Sequence, residues 1–169
     1  MDIVCKGDIF LLHSLRKWER TNITFLMQLF TKMGDASSWI YISTFFMIFE
    51  RSIFGLGMMI GSVGLLGAIM AQVVKHLIRR KRPVFNALCP EALVPYPDEW
   101  SFPSGHSTTA FSVAGVLFLT SSSLFVPFFA LATLIATSRI YLGVHYPSDV
   151  IAGAVLGGLV AFSIAPLLI

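Results

Sequence analysis

Long uncharged stretches alternate with short polar ones along most of this chain. Residues 36–49, 53–74, 107–138 and 150–169 contain no charged side chain. A helix needs about 20 mostly apolar residues to cross a bilayer, and the third stretch is long enough for two crossings if the chain turns at "TSSS" (120–123). The pattern therefore predicts an all-α bundle of about five transmembrane helices.

The expected spans, read from charges and prolines at their ends, are residues 36–50, 53–78, 104–120, 124–142 and 147–169. Residues 1–35 instead mix apolar side chains with charges at roughly helical spacing, which is typical of an amphipathic segment lying in the membrane interface. Residues 8–33 are an alternative sixth span. The whole chain, residues 1–169, is expected to form one membrane domain.

The composition agrees with a membrane protein. Hydrophobic residues make up 56% of the chain, charged residues 12%, and the mean hydropathy is +0.79, whereas a soluble domain is roughly 25% charged. The net charge of +3 comes from clustered basic residues, whose natural partners are anionic lipid headgroups and not nucleic acid. Cys5 and Cys89 are too few for a disulfide framework, the first twenty residues show no signal peptide, and nothing predicts an oligomer.

Two polar segments, residues 75–103 and 139–149, interrupt the apolar stretches and are expected on the same membrane face. The chain leaves that face at residue 104, turns at 120–123 and returns at 139. The first segment contains five prolines as well as charges, and such a segment cannot lie unpaired in lipid. Polar residues that are distant in sequence should therefore meet at one site.

The first polar segment opens with "KHLIRRKRP" (75–83). An isolated basic run most often holds the end of a helix at the headgroups. Lys75, Arg79 and Arg82 nevertheless follow helical spacing, so on one helix face they would bind an anion. Further candidates for holding the outer part of a substrate headgroup are Arg79, Arg80 and Lys81.

The sequence "PSGH" (103–106) precedes the third predicted span. Ser104 is a helix N-cap in the simplest interpretation, with His106 incidental in the first turn. The same geometry also suits phosphate, because free backbone N–H groups and the positive helix end bind anions. Gly105 would let the backbone approach an oxyanion closely, and Ser104 would add a hydroxyl donor.

The second polar segment, "SRIYLGVHYPSD" (138–149), contains Arg139, His145 and Asp149. A polar interface loop is the plainer interpretation. The proline between the histidine and the aspartate suits the first turn of a helix, which would place His145 just outside that turn and Asp149 just inside it. Asp149 would then hold one ring nitrogen and leave the other as a nucleophile. The other histidines are treated as packing or interface residues: His13 and His76.

Together these motifs resemble the type-2 phosphatidic acid phosphatase superfamily of membrane lipid phosphatases, which is related in fold to bacterial acid phosphatases and vanadium haloperoxidases. The family pattern of Lys, six residues and Arg-Pro matches 75–83, and Pro-Ser-Gly-His matches 103–106. Ser-Arg, five residues, His, three residues and Asp matches 138–149. The resemblance covers residues 75–149, and the N-terminal 35 residues carry none of it.

The resemblance implies a phosphatase that needs neither a metal nor another cofactor. His145 would attack phosphorus and form a phosphohistidine, Asp149 would orient its ring, and His106 would protonate the leaving oxygen. The residues expected to bind the phosphate oxygens are Lys75, Arg82, Ser104, Gly105 and Arg139.

A phosphorylated lipid is the expected substrate. A small chain with a short catalytic loop resembles bacterial members, which favours lipid A 1-phosphate or undecaprenyl diphosphate over phosphatidylglycerol phosphate and phosphatidic acid. The alternatives from other classes are a non-catalytic lipid-binding or transport homologue and a haloperoxidase. We expect a bacterial inner membrane, with the site facing the periplasm or exterior as is usual in this family, although the positive-inside rule alone places these basic loops in the cytoplasm.

Overall fold

The structure is a computed structural model, and it describes residues 6–49, 55–83, 91–120 and 122–168. The described residues form helices without a β-strand, which confirms the predicted all-α class. The seven helices in these ranges are α1 (Lys6–Arg16), α2 (Thr21–Met33), α3 (Ala36–Phe49), α4 (Leu56–Ile78), α5 (Gly105–Leu119), α6 (Phe125–Tyr141) and α7 (Pro147–Leu168).

The last five helices coincide closely with the five predicted spans. Of these, α4 and α7 are long and apolar enough to cross a membrane, while α3, α5 and α6 are shorter apolar helices of 14, 15 and 17 residues. The predicted turn at residues 50–52, the expected start of the second span at 53, Cys5 and Cys89 lie outside the described residues.

The N-terminal segment forms two helices that are separated at residues 17–20. With 11 and 13 residues, α1 and α2 are each shorter than the roughly 20 residues of a spanning helix, so residues 8–33 do not form the single helix of the alternative sixth span. One face of the first helix packs against the bundle and the other is exposed, because Leu12 is buried whereas Phe10 is 70% exposed. Its interfacial position stays a prediction.

The helix that follows "PSGH", α5, lies at the centre of the bundle and packs against α4, α6 and α7. It approaches α7 very closely, and two glycines of α7 make this approach possible. A Cβ at Gly157 would lie 2.5 Å from the carbonyl oxygen of Thr108, and one at Gly153 would lie 2.6 Å from that of Ser104. This contact brings the beginnings of α5 and α7 together at one end of the bundle.

The outer surface of the bundle is apolar. Its core contains fully buried residues of α4, α5 and α6, including Ile60, Leu117 and Ile135. Large side chains that face outward are also hydrophobic: Ile40, Tyr41, Phe45, Ile48, Leu65, Ile69, Val126, Phe129, Ile151, Val155, Leu159 and Phe162. Apolar exposure on this scale marks a surface that contacts lipid.

Candidate active site

The two polar segments meet at the end of the bundle where α4 and α6 finish and α5 and α7 begin, as predicted. Arg82 from the first segment contacts the second through its Nη1, which donates to the carbonyl of Val144 at 2.7 Å and lies 3.2 Å from His145 Nε2. The backbone N–H of Ser104 donates to the carbonyl of Asp149 at 3.0 Å. All three sequence motifs therefore contribute to one site.

Asp98, which lies outside the three motifs, binds two of the basic residues of the first motif. Asp98 Oδ2 accepts a 2.5 Å hydrogen bond from Lys75 Nζ, and its Oδ1 accepts one of 2.6 Å from Arg82 Nη2. Burial tends to raise the pKa of Asp98, but the hydrogen bonds from Lys75 and Arg82 outweigh it and lower the pKa. Lys75 and Arg82, both buried, thus already hold an anion between them.

The remaining cations of the first motif do not join this pair, which corrects the prediction of a shared helix face. The helix α4 ends at Ile78, and Arg79 has a left-handed backbone (φ 52°). Its Nε then donates to the carbonyl of His76 at 2.9 Å. Because the helix stops here, Arg82 reaches the site from the extended chain beyond it. Arg80 is buried against Asp149, so it does not hold an outer headgroup.

His145 lies in the short loop between α6 and α7 and is 1% exposed. Burial, together with the positive charges of Arg82, Arg139 and Lys75, lowers its pKa well below that of an ordinary histidine. Its Nδ1 is 3.6 Å from Asp149 Oδ2, slightly beyond hydrogen-bond distance. The ring is therefore neutral, with Asp149 on the Nδ1 side and Arg82 on the Nε2 side.

Arg139 lies in the last turn of α6 and is buried, but it is not among the residues that line the cavity described below. Its Nη1 donates to the hydroxyl of Thr31, whereas its buried Nε and Nη2 have no hydrogen-bond partner among the described residues. Buried guanidinium donors are rarely left unsatisfied. Their position beside neutral His145 suits an anionic ligand.

At the start of α5 the predicted N-cap is confirmed. The hydroxyl of Ser104 accepts from the backbone N–H of Ser107 at 3.4 Å and from the Ser107 hydroxyl at 3.0 Å, and Ser104 is fully buried. A Cβ at Gly105 would meet only Ala71 Cβ, at 4.0 Å, so space remains beside this backbone. Gly105 and His106 line a cavity, and Ser104 is not among its lining residues; phosphate binding by Ser104 stays a prediction.

His106 has a partner that the sequence analysis did not identify. Its Nε2 lies 2.9 Å from Asp35 Oδ1, in the turn between α2 and α3. The hydrogen bond with His106 lowers the pKa of Asp35, so the carboxylate stays ionised. Gly34 permits this contact, since a Cβ there would lie 2.6 Å from His106 Cδ2. The only signal in the sequence was a Gly-Asp pair between two helical patterns.

A cavity of about 500 Å³ connects these polar groups with the apolar interior between α3, α4 and α5. Its polar lining includes Lys75, Asp98, His106 and His145. Along α4 the lining continues from Lys75 back to Gly61, a distance of about 21 Å at the helical rise per residue. The remaining walls are mostly small or apolar: Gly34, Ala36, Trp39, Ile40, Gly64, Leu65, Ala68 and Ala71.

The family model for the PAP2 superfamily matches residues 52–168, which is most of the chain. The protein belongs to this superfamily. Its relatives include an undecaprenyl-diphosphatase of Sulfolobus acidocaldarius, 35% identical over 81% of this chain and 66% of the relative. Another is a decaprenylphosphoryl-5-phosphoribose phosphatase of Mycobacterium tuberculosis, 42% identical over 54% of this chain and 49% of the relative.

Among solved PAP2 structures, the transmembrane PAP2-type phosphatidylglycerolphosphate phosphatase from Bacillus subtilis has a similar fold. The TM-score is 0.78 with 27% identity, covering 95% of this chain and 84% of the other. The chain thus spans about half to two thirds of the curated relatives, but nearly all of it corresponds to this PAP2 structure. These similarities identify it as an integral membrane protein.

Proposed function

We propose that this PAP2 protein is a lipid phosphatase that hydrolyses a phosphate monoester or diphosphate through a phosphohistidine on His145. One observation carries the proposal: three buried cations, Lys75, Arg82 and Arg139, place positive charge near the buried His145, and two donors of Arg139 have no partner among the described residues. The cavity beside them extends into the apolar bundle. This combination suits a phosphate attached to a long hydrophobic chain.

The first chemical step is displacement of the lipid oxygen by a histidine nitrogen. Asp149 lies at Nδ1 of His145, so Nε2 is the nucleophile and attacks phosphorus opposite the leaving oxygen. The new P–N bond forms on the terminal phosphorus as its P–O bond to the leaving group breaks; the leaving group is the lipid alcohol of a monoester or the lipid monophosphate of a diphosphate. His106 donates its proton to the departing oxygen, while Asp35 holds its ring. Such a positioned proton transfer contributes roughly 10²–10⁴-fold to the rate.

Water then hydrolyses the phosphohistidine. His106, now without its proton, accepts a proton from the attacking water, the P–N bond breaks and inorganic phosphate leaves. Throughout both steps Lys75, Arg82 and Arg139 stabilise the charge on the phosphate oxygens. Asp98 binds both Lys75 and Arg82, and in the proposed reaction the substrate phosphate displaces it from between them.

For the substrate we propose a polyprenyl diphosphate such as undecaprenyl diphosphate, with lipid A 1-phosphate as the second candidate. Support comes from the long apolar cavity beside the phosphate residues and from the two relatives whose names specify polyprenyl substrates. We therefore expect the protein to prefer a long-chain lipid, and a water-soluble phosphate ester should be a weaker substrate.

The orientation we propose places the catalytic residues on the outer face of the cytoplasmic membrane. If α3 to α7 each cross once, the end of α7 lies on the opposite side from the active site. A reporter fused after Ile169 should then be active in the cytoplasm. A reporter active outside the cytoplasm would contradict this orientation.

Phosphate release from a panel of lipids in detergent micelles tests the proposed function. The panel contains undecaprenyl diphosphate, lipid A, phosphatidylglycerol phosphate and phosphatidic acid, each assayed with EDTA and again with vanadate. We expect the fastest release from undecaprenyl diphosphate, no effect of EDTA, inhibition by vanadate and no release by His145→Ala. Equal, background-level release by the wild type and His145→Ala from all four lipids would contradict a phosphatase. Halide oxidation by added hydrogen peroxide that appears only with vanadate would identify the haloperoxidase alternative.

A further inference from the structure

The side chain of Arg80 is largely enclosed next to the catalytic loop but does not line the cavity. Its Nη1 donates to Asp149 Oδ1 at 2.6 Å and to the Ser148 hydroxyl at 2.7 Å, and its Nη2 donates to Asp8 Oδ2 at 2.8 Å. One guanidinium thus bridges two carboxylates from opposite ends of the chain. Its side chain is only 8% exposed, so solvent screens these ion pairs weakly.

Asp8 brings the N-terminal helix α1 into this cluster. Its Oδ1 accepts from the backbone N–H of Ser148 at 2.9 Å, and its Oδ2 accepts from the Ser148 hydroxyl at 2.7 Å as well as from Arg80. Burial tends to raise the pKa of Asp8, but these hydrogen bonds from Ser148 and Arg80 outweigh it and lower the pKa. Asp8 is therefore an ionised carboxylate at 4% exposure.

We call Asp8, Arg80 and Asp149 the buried ion triad. Asp149 is fully buried; one of its oxygens binds Arg80, and the other accepts from the backbone N–H of Tyr146 at 2.9 Å. That second oxygen is also the one that faces Nδ1 of His145 at 3.6 Å. Arg80 thus holds the carboxylate oxygen of Asp149 that is not turned towards the imidazole.

We propose that Asp8 and Arg80 are positioning residues for the reaction and act through Asp149 to fix the orientation of the His145 ring. The inference rests on the proposed role of His145 as nucleophile. Removing one member of a buried ion cluster leaves an uncompensated charge that must rearrange. Loss of Arg80 would free Asp149 to turn, and loss of the Asp8 charge would loosen Arg80.

Further contacts hold α1 against the site, so Asp8 is fixed beside Arg80 by the packing of the whole helix. Leu12 is fully buried and packs with Tyr146 in the catalytic loop. Arg16 Nη2 donates to the carbonyl of Glu91 at 2.6 Å, in the loop that contains Asp98. The helix lies outside the matched family region, residues 52–168, yet it supplies Asp8 to the buried ion triad.

The test compares kcat and KM of Asp8→Asn and Arg80→Met with two matched controls. Glu19→Gln and Arg20→Met make the same kinds of change at exposed positions of the N-terminal segment. We expect kcat to fall roughly 10–100-fold in Arg80→Met, the range seen when a partner behind a catalytic ligand is removed, and about 10-fold in Asp8→Asn. KM should change by less than about 2-fold, because neither residue lines the cavity.

The double variant tests whether Asp8 acts through Arg80. If so, Asp8→Asn combined with Arg80→Met should lose no more kcat than Arg80→Met alone. Multiplied losses would overturn the proposal, as would kcat values equal to those of the controls or a change confined to KM. If Arg80→Met does not fold, Arg80→Lys replaces it; it keeps the charge but cannot bridge both carboxylates, and we expect a comparable loss of kcat.

A second measurement separates this inference from the proposed function. The ¹⁵N spectrum of histidine-labelled protein in micelles, with His145 assigned from His145→Asn, reports the ring without turnover. We expect the His145 nitrogen shifts to change in Arg80→Met and in Asp8→Asn but not in the controls. If the wild type released no phosphate while these shifts changed, the phosphatase proposal would fail and the positioning of the ring would stand. Unchanged shifts in both variants would overturn the positioning role.

Discussion

The segments 75–149 and 6–35 both contribute polar residues around the same site, but only the residues of the first segment follow a recognisable spacing. His106 and Arg139 belong to motifs, whereas their partners, Asp35 and Thr31, come from the N-terminal segment. The matched family region begins at residue 52, after both partners. The groups that would contact phosphate therefore all lie in 75–149, whereas part of the groups that position them come from the N-terminal segment.

The difference follows from what each group has to do. A phosphoryl group in transfer needs cations and an imidazole at set positions around phosphorus, which constrains both residue type and spacing. A positioning partner needs only to place an oxygen near a donor, and a hydroxyl such as Thr31 or a carboxylate such as Asp35 can do so from any nearby element. We therefore expect motif residues to matter more for turnover than their N-terminal partners.

The largest effect should come from the proposed nucleophile. His145→Ala should reduce turnover of every phosphate ester by about 10⁴-fold or more, because the covalent intermediate cannot form. His76→Ala is the matched control, since His76 is exposed and its Nδ1 contacts only the helix carbonyl of Gln72 in the described hydrogen bonds. Residual activity of His145→Ala above a hundredth of the wild type would contradict the nucleophile assignment.

The next effect concerns the leaving group. His106→Ala should lose roughly 10²–10⁴-fold with a lipid phosphate and less with p-nitrophenyl phosphate, whose oxygen departs without a proton. Asp35→Asn should show the same dependence on the leaving group with a smaller loss, because it only orients the His106 ring. Steady-state rates on both substrates check this. Equal losses on the two esters would mean that His106 is not the acid.

Arg139 and Thr31 allow the same comparison for phosphate binding. Arg139→Met removes the unsatisfied donors and should lower kcat/KM roughly 10²–10³-fold. Thr31→Val removes one hydrogen bond behind the guanidinium and should cost less than about 10-fold. Inhibition by inorganic phosphate should weaken in the same order. A larger loss in Thr31→Val than in Arg139→Met would reverse the proposed relation between the two segments.

The smallest effect is on the pH dependence. Because the pKa of His145 is lowered, the ring stays neutral as the pH falls from 7 to 6, whereas an ordinary histidine with a pKa of about 6.5 would be mostly protonated at pH 6. The acid limb of kcat/KM, corrected for ionisation of the substrate, should therefore lie below pH 6.5. If kcat/KM instead decreased with a midpoint near pH 6.5 because His145 is protonated there, the neutral, buried state of His145 would be contradicted.

The helices and the convergence of the motifs were predictable, because uncharged stretches of bilayer length leave little choice of structure. The end of α4 at Ile78 agrees with the predicted span of 53–78, but the backbone that follows it was not predictable. The sequence around Arg79 continues with good helix formers, and nothing local signals its left-handed backbone. The predicted shared face of Lys75, Arg79 and Arg82 was wrong for this reason, and so was the headgroup role of Arg80.

The carboxylates Asp8, Asp35 and Asp98 were also missed. Each pairs with a basic residue or histidine at least 16 positions away in sequence, so no local periodicity indicates the contact. Their signal is chemical: a bundle that buries several cations at one end needs buried anions to balance them. That argument predicts that such partners exist, but only the fold identifies which carboxylates they are.

The central claim is a covalent phosphohistidine on His145, and trapping it tests this claim most directly. Wild type, His106→Ala and His145→Ala are mixed with ³²P-labelled lipid substrate, quenched with denaturant at alkaline pH, where phosphohistidine survives, and the labelled peptide is sequenced. We expect label on residue 145 in the wild type and more in His106→Ala, where water lacks its base. His145→Ala should carry none. Label on another residue, or equal label in His145→Ala, would contradict the account.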